Sequence, residues 1–336
     1  MNNSSNPDYL YDDTDDMCDS DEVARFGSIV IPFFLSVVIT LSLMGNILVL
    51  IILALYENLK SVTNIFILNL AISDLIFTTG LPFWAIYHIW GWIFPESLCK
   101  AVTFVFFTGF YSSVLFLSIM TIYRYLAIVH PLSELSTLRV RCGILVSLAL
   151  WIVSAGAAVP SLLYSSITEI RHTNEIDKGC EYEDILWETI GVCQQNVFFL
   201  AAFAVMAFCY IQILLKITRT RSQRRKRAVK LIFCIVAVFF LGWIPYNVII
   251  FLKMLAKHVV PPFEACETSN QIEYAFHLCR LVAFSHCCLN PIFYAFVGVK
   301  FRSHLKLLLK RVSSRPAPVE KEQMRMQHLI SQGSLY

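Results

Sequence analysis

Seven long stretches almost free of charge decide what this chain can fold into. Phe26–Leu55, Ala101–Tyr123, Gly143–Thr168, Thr189–Leu215 and Leu231–Leu252 hold no Asp, Glu, Lys or Arg. Ser61–Pro95 holds only Asp74. Leu281–Val299 also holds none, and its helix is expected to begin earlier, near Ser269. About 20 apolar residues cross a bilayer as a helix, and only helices or closed barrels satisfy the backbone there. The chain is 57% hydrophobic and only 15% charged, far from the balance of a soluble domain of its 336 residues. The expected fold class is therefore an all-α membrane protein: a seven-transmembrane helix bundle, with a short amphipathic helix after the seventh span.

An odd number of spans puts the termini on opposite sides, and charge assigns the sides. Lys216–Lys230 carries eight Lys and Arg and no acid, the link after span three carries Arg139 and Arg141, and the tail from Lys300 is basic. Met1–Glu22 carries eight acids and no base, and the segment around Glu169–Glu188 is acidic. The positive-inside rule puts the basic links in the cytoplasm and the N-terminus outside. The first 22 residues lack the pattern of a secretory leader, so the first span is expected to act as its own insertion signal. The expected organisation is an acidic extracellular tail over 1–25, a membrane domain over 26–299, an interfacial helix over 300–312 and a disordered cytoplasmic tail over 313–336. In the interfacial helix Phe301, Leu305, Leu308 and Leu309 are expected on one face, with Lys300, Arg302, Lys306, Lys310 and Arg311 meeting anionic membrane lipid.

Of eleven cysteines, four fall on the outer side: Cys18, Cys99, Cys180 and Cys266. An even number in an oxidising compartment favours two disulfides, and the sequence alone allows three pairings. Asn2 and Asn3 both begin N-x-S/T sequons, so the chain is a candidate glycoprotein. No nucleic-acid partner is expected, and no catalytic set is visible that would make the chain an enzyme.

Polar side chains inside a membrane are costly and usually functional. Asp74 is the one acid deep in a span, and Asn46, Ser113, His286 and Asn290 lie at comparable depth. Asp74, Ser113, Asn290 and Asn46 form a candidate polar node, able to hold a sodium ion or simply to pack through hydrogen bonds. His286 has no second soft ligand spaced to help it, so no transition metal is expected. Pro82, Pro160, Pro245 and Pro291 are expected to kink spans two, four, six and seven. Beside two of them stand Trp243 in "GWIPY" and Tyr294 in "NPIFY", bulky groups suited to a two-state element. The twenty-three uncharged residues of Ala101–Tyr123 end on Arg124, which sits between Tyr123 and Tyr125.

This ordered set resembles the rhodopsin-like G-protein-coupled receptors. It comprises Gly45-Asn46, "LAISD" ending at Asp74, Cys99 opening span three, "YRYLAIV", Trp151, "WIP" and "NPIFY". It covers all seven spans in order. "LPFWA", "GWIFPESLCK", "AFSHCCLNPIFYAFVGVKFR" and the four outer cysteines resemble the chemokine receptors. "ENLKSVTNIFILNL", "RSQRRKRAVKLIFCIV" and "CRLVAFSHCCLNP" are similar to their XC type, as is Arg280, where most chemokine receptors have glutamate. Three departures from the wider family are Tyr123 for the usual acid, Ala202 for a proline in span five, and Gly80-Leu81-Pro82 for Thr-x-Pro. The XC type shares them.

The resemblance implies disulfides Cys99–Cys180 and Cys18–Cys266. It implies a basic chemokine ligand of the lymphotactin type, coupling to a Gi-class G protein, calcium mobilisation, chemotaxis and an immune role at the plasma membrane. Arrestin is a further implied partner, with Ser313, Ser314, Ser331 and Ser334 as phosphorylation sites. Tyr9 and Tyr11, set among acids, suit sulfation and capture of a basic ligand by steering. Trp84, Tyr87, Phe106, Tyr246, Glu273 and Arg280 are the expected ligand pocket, with Arg280 meeting a carbonyl or an acid of the ligand tip. Tyr123, Arg124, Tyr125, Trp243, Pro245, Asn290, Pro291 and Tyr294 are the expected coupling and switch residues. Tyr123 is expected to leave Arg124 without its usual acidic partner. Two alternatives are a scavenging receptor that internalises ligand without G-protein coupling, and a CC-type receptor.

Overall fold

The computed structural model describes residues 21–57, 59–130, 140–171, 176–218, 223–263, 265–297 and 299–313. Six long helices cross the molecule: α1 (Asp21–Tyr56), α2 (Val62–Trp90), α3 (Glu96–Val129), α4 (Val140–Tyr164), α5 (Ile185–Thr218) and α6 (Gln223–Lys257). They run from 25 residues in α4 to 36 in α1, and all six are apolar enough to span a bilayer. Their outward faces are oily rather than polar: Phe33, Ile152 and Leu241 are 75%, 73% and 71% exposed. Such a surface is stable only against lipid.

The seventh crossing departs from the expectation of one kinked span. It is two pieces, α7 (Cys266–Phe284) and α8 (His286–Val297), broken at Ser285, well ahead of Pro291. Proline cannot donate to the carbonyl four residues earlier, and that carbonyl belongs to Cys287. It is satisfied across the bundle, where Asn46 Nδ2 of α1 donates to Cys287 O at 2.8 Å. The close approach this needs falls at Gly45, where any Cβ would lie 2.7 Å from Pro291. Pro32 inside α1 was not among the expected kinks.

The core is largely aromatic and runs down the bundle through Phe77, Phe106, Phe110, Trp243 and Phe284. Central α3 packs closely on α2 because residue 109 is glycine: a Cβ there would meet Phe77 N at 2.5 Å. Trp151 Nε1 of α4 donates to Asn69 Oδ1 of α2 at 2.9 Å, joining a third helix to the pair.

The fourth helix stops at Tyr164, short of the expected Thr168, and the link to α5 is structured. It forms an antiparallel hairpin, β1 (Ser165–Arg171) with β2 (Ile176–Tyr182), consistent with the β-branched Ile167, Thr168 and Ile170. Cys99 and Cys180 are disulfide-bonded, which ties β2 to the start of α3. Trp92 braces the same corner: its backbone N–H donates to Lys178 O, and its buried ring packs near the disulfide.

The last helix, α9 (Val299–Ser313), follows the seventh crossing as expected. Phe301 packs beneath α1 and α2 with Val49 and Leu53. Leu309 of the expected apolar face is 58% exposed, like the lipid-facing side chains of the bundle. His304 packs inward, stacked on Tyr56 at 5.3 Å and 3.5 Å from Glu57.

Candidate functional site

At the hairpin end aromatic rings of α2, α3, α6 and α7 gather. Trp84 of α2 lies 6.0 Å from Phe106 of α3 and 5.9 Å from Tyr87. Tyr246 of α6 stacks on Phe276 of α7 at 6.0 Å. The six residues expected to line a pocket come from these four helices, with Glu273 and Arg280 on α7 to either side of Phe276. Residues 1–20 lie outside the described structure, so Tyr9, Tyr11, Cys18, Asn2 and Asn3 have no placement here. Cys266 is disulfide-bonded, and Cys18 is the mate that the resemblance gives it.

The polar side chains there include residues that the sequence reading missed. Lys253 of α6 pairs with Glu273 at 2.7 Å. Arg280 Nη2 donates to His88 Nε2 of α2 at 2.6 Å and lies 3.3 Å from His277 Nδ1. His88, His277 and Lys253 carry no motif, and only the meeting of α2, α6 and α7 brings them together. Nearer the hairpin, Lys257 pairs with Glu188, and Thr189 shares a hydrogen bond with His258 at 2.8 Å, so the end of α6 is clasped to α5 as well as α7.

An aromatic column leads down from these rings. Phe106 contacts Phe77 at 4.5 Å and Phe284 at 5.1 Å; Phe110 contacts Trp243 at 4.5 Å. His286 packs between Phe77 and Trp243, at 4.7 and 5.2 Å, and its Nδ1 is 2.8 Å from Ala283 O. The indole nitrogen of Trp243 and Nε2 of His286 are buried without a hydrogen-bond partner. Pro245 sits in α6 two residues beyond this ring.

Asp74, fully buried, lies at the foot of the column. Ser113 Oγ donates to Asp74 Oδ1 at 2.9 Å and Asn290 Nδ2 donates to Oδ2 at 2.8 Å, joining α2, α3 and α8. Asn46 meets the node indirectly: its Nδ2 donates to the carbonyl freed by Pro291 and, at 3.2 Å, to Ser42 Oγ. Ser42 and Thr78, whose hydroxyls are 2.6 Å apart, carry the network on, with Thr78 donating to Asp74 O at 2.6 Å. Hydroxyls inside helices bond back to their own turn so often that sequence alone does not single these two out.

At the opposite end, successive helical residues point about 100° apart, which separates the three side chains of Tyr123-Arg124-Tyr125. Tyr123 packs edge-on against Phe66 of α2 at 6.2 Å. Tyr125 turns toward α5, 6.0 Å from Phe208, and its hydroxyl bonds His130 at 3.0 Å. Arg124 is left between them with no carboxylate partner among the described residues, and its buried Nε has no hydrogen-bond partner. Tyr210 of α5 lies close enough to feel its charge. The side chain of Tyr294 lies outside the described residues.

Comparison with known proteins adds an independent view of this arrangement. The family model for the 7 transmembrane receptor (rhodopsin family) matches residues 45–294. The chain is 43% identical to chemokine XC receptor 1 of Homo sapiens over 93% of its own length and 91% of the relative's. It is 36% identical to human C-C chemokine receptor type 4, over 90% and 84%. With CX3C chemokine receptor 1 of Rattus norvegicus the figures are 35%, 90% and 84%.

Proposed function

The chain belongs to the rhodopsin family of seven-transmembrane receptors, in its chemokine-receptor branch, and from that premise we propose that it receives a C-class chemokine of the lymphotactin type and signals through Gi. Chemokine and G protein as partner classes, a multi-pass place in the plasma membrane and the absence of enzymatic chemistry follow from the family. The finer reading is supported above all by the match to an XC receptor, 43% against 36% and 35% for CC and CX3C types. Arg280 at the hairpin end agrees with it.

In this reading the hairpin end is extracellular. The acidic tail with Tyr9 and Tyr11 captures the basic body of the ligand, and the ligand's N-terminal segment enters among the rings there. Pressure on Phe106 passes through Phe284, and pressure on Tyr246 directly, to Trp243. Packed rings shift as a unit rather than deform. Displacement of Trp243 lets α6 swing about Pro245, because α6 is clasped at its hairpin end. The Arg124 end then opens to a G-protein helix, with arrestin a later partner at the same face. Calcium mobilisation and chemotaxis follow downstream.

The Asp74 node serves as the ratchet of this motion, since it joins α2, α3 and α8 through one carboxylate. A sodium ion fits its donor set: Asp74 and Ser113 offer the hard oxygen atoms such an ion prefers, and the ion would steady the resting arrangement.

Saturable binding of labelled lymphotactin to cells expressing the chain tests the ligand assignment. Unlabelled lymphotactin is expected to displace it and CC chemokines are not; displacement by a CC chemokine alone assigns the CC type instead. Replacing Tyr9 and Tyr11 by Phe is expected to slow association several-fold, and an unchanged on-rate removes the tail from the capture step.

A further inference from the structure

We infer that the uncharged turn after α6, residues 259–262, is a docking surface for an apolar patch on the folded body of the protein ligand, with Val259 as its main contact. That the partner is a chemokine rests on the receptor reading above.

α6 ends at Lys257, and the chain leaves it through a crossed pair of backbone hydrogen bonds. The N–H of Val260 donates to Leu255 O at 3.1 Å, and that of Val259 to Ala256 O at 3.0 Å. This is a common way to close a helix, and it puts the first residue past the cap in the left-handed region. Here that residue is Val259, with φ of 55°. Glycine takes such a place at no steric cost, whereas a β-branched side chain is strained there. Val259 is the one residue other than glycine with positive φ among the described residues. Closing the helix therefore does not account for the valine. Strain held at one position points to a use for the side chain that bears it.

Nothing among the described residues buries that side chain. Val259 is 70% exposed and Val260 36%, and Pro261 and Pro262 beside them are exposed. The hydrocarbon of a bilayer is not the cover, because an irregular turn there would leave carbonyl groups without donors. The polar residues just before the turn are already engaged on α5, Lys257 with Glu188 and His258 with Thr189. What is left facing outward is apolar. The turn runs on to Cys266, which is disulfide-bonded. Cys18, the mate that the resemblance gives it, follows the acidic segment proposed to capture the ligand. A ligand body held by that segment is therefore tethered beside Val259. The two contacts divide the work: acidic residues speed the approach, and an apolar contact slows departure.

The test replaces Val259 in the full chain and reads two quantities. One is the melting temperature of the purified protein. The other is the kinetics of labelled lymphotactin, or of a labelled CC chemokine if the native chain binds that instead. Val259→Gly and Val259→Asn relieve the backbone, since both residues accept the left-handed region. Both are expected to melt about 2 °C or more above the native chain. Both are also expected to release ligand about tenfold faster, with the on-rate unchanged. Val259→Ile keeps the apolar contact and is expected to keep the native off-rate. Stability gained while binding is lost marks a residue kept for contact; a purely structural residue would move both together. A native off-rate in Val259→Gly overturns the docking surface and leaves the receptor reading standing. If the melting gain of that variant is then smaller in lipid nanodiscs than in detergent, lipid headgroups cover the valine instead. A melting temperature lowered in both Val259→Gly and Val259→Asn overturns the strain from which the proposal starts. A native chain that binds no chemokine sinks the receptor reading, and the docking surface with it.

Discussion

Arg124 shows how one absent charge changes a switch. In a low-dielectric setting a cation without a partner gains from any acceptor that approaches. Here neither neighbour supplies one, because Tyr123 is committed to Phe66 and Tyr125 to α5 and His130. The resting state is therefore weakly locked, and ligand-free cells are expected to show a basal Gi signal. Tyr123→Asp should lower that signal several-fold, whereas Tyr123→Phe should leave it, since the hydroxyl makes no hydrogen bond among the described residues. Equal basal cyclic AMP in the native chain and Tyr123→Asp contradicts this. Asp74 is the opposite case, an acid with a donor on each carboxylate oxygen. Asp74→Ala strands the Ser113 hydroxyl and the Asn290 amide, at a cost of about 1–3 kcal/mol each. The purified variant should melt at a lower temperature; an unchanged melting curve would mean the node carries no structural load.

Among the helices, close approach at single glycines fixes the packing. Gly109→Ala would drive a methyl into the Phe77 backbone, which cannot yield as a side chain can. The variant is expected to lose about 1–3 kcal/mol and much of its surface expression; native expression and melting would show that α2 and α3 have slack. The six long helices could be read from charge-free length alone, because lipid imposes one simple rule. The break at Ser285 could not, because it answers to Asn46 on another helix, which replaces the donor that Pro291 lacks. The hairpin was hidden for a related reason: its strands satisfy each other, and only Cys180 marked the spot. The site divides the same way. Trp84, Tyr246 and Arg280 belong to motifs or to departures from them, whereas His88, His277 and Lys253 matter only through neighbours distant in sequence.

On the scale of the whole molecule, the proposed capture and coupling ends lie at opposite ends of the bundle and are testable separately. At the proposed capture end, Cys99–Cys180 ties the hairpin to the start of α3. Cys180→Ser should remove high-affinity ligand binding and cost about 2–4 kcal/mol, while inserted protein still reaches the surface; full binding by the variant would mean that the hairpin plays no part in ligand capture. If the acidic tail captures the ligand as proposed, association is electrostatic and the on-rate should fall as salt rises from 0.05 M toward physiological strength, as the screening length shrinks to about 8 Å. The coupling end holds the central claim, that this chain is a signalling receptor and that Arg124 works without an acidic neighbour. The measurement is suppression of cyclic AMP in cells expressing the full chain, exposed to a chemokine panel that includes lymphotactin, with ligand uptake followed in parallel. The account predicts a dose-dependent Gi response to lymphotactin that Arg124→Ala abolishes. Uptake of lymphotactin with no Gi response would contradict it and make the chain a scavenger.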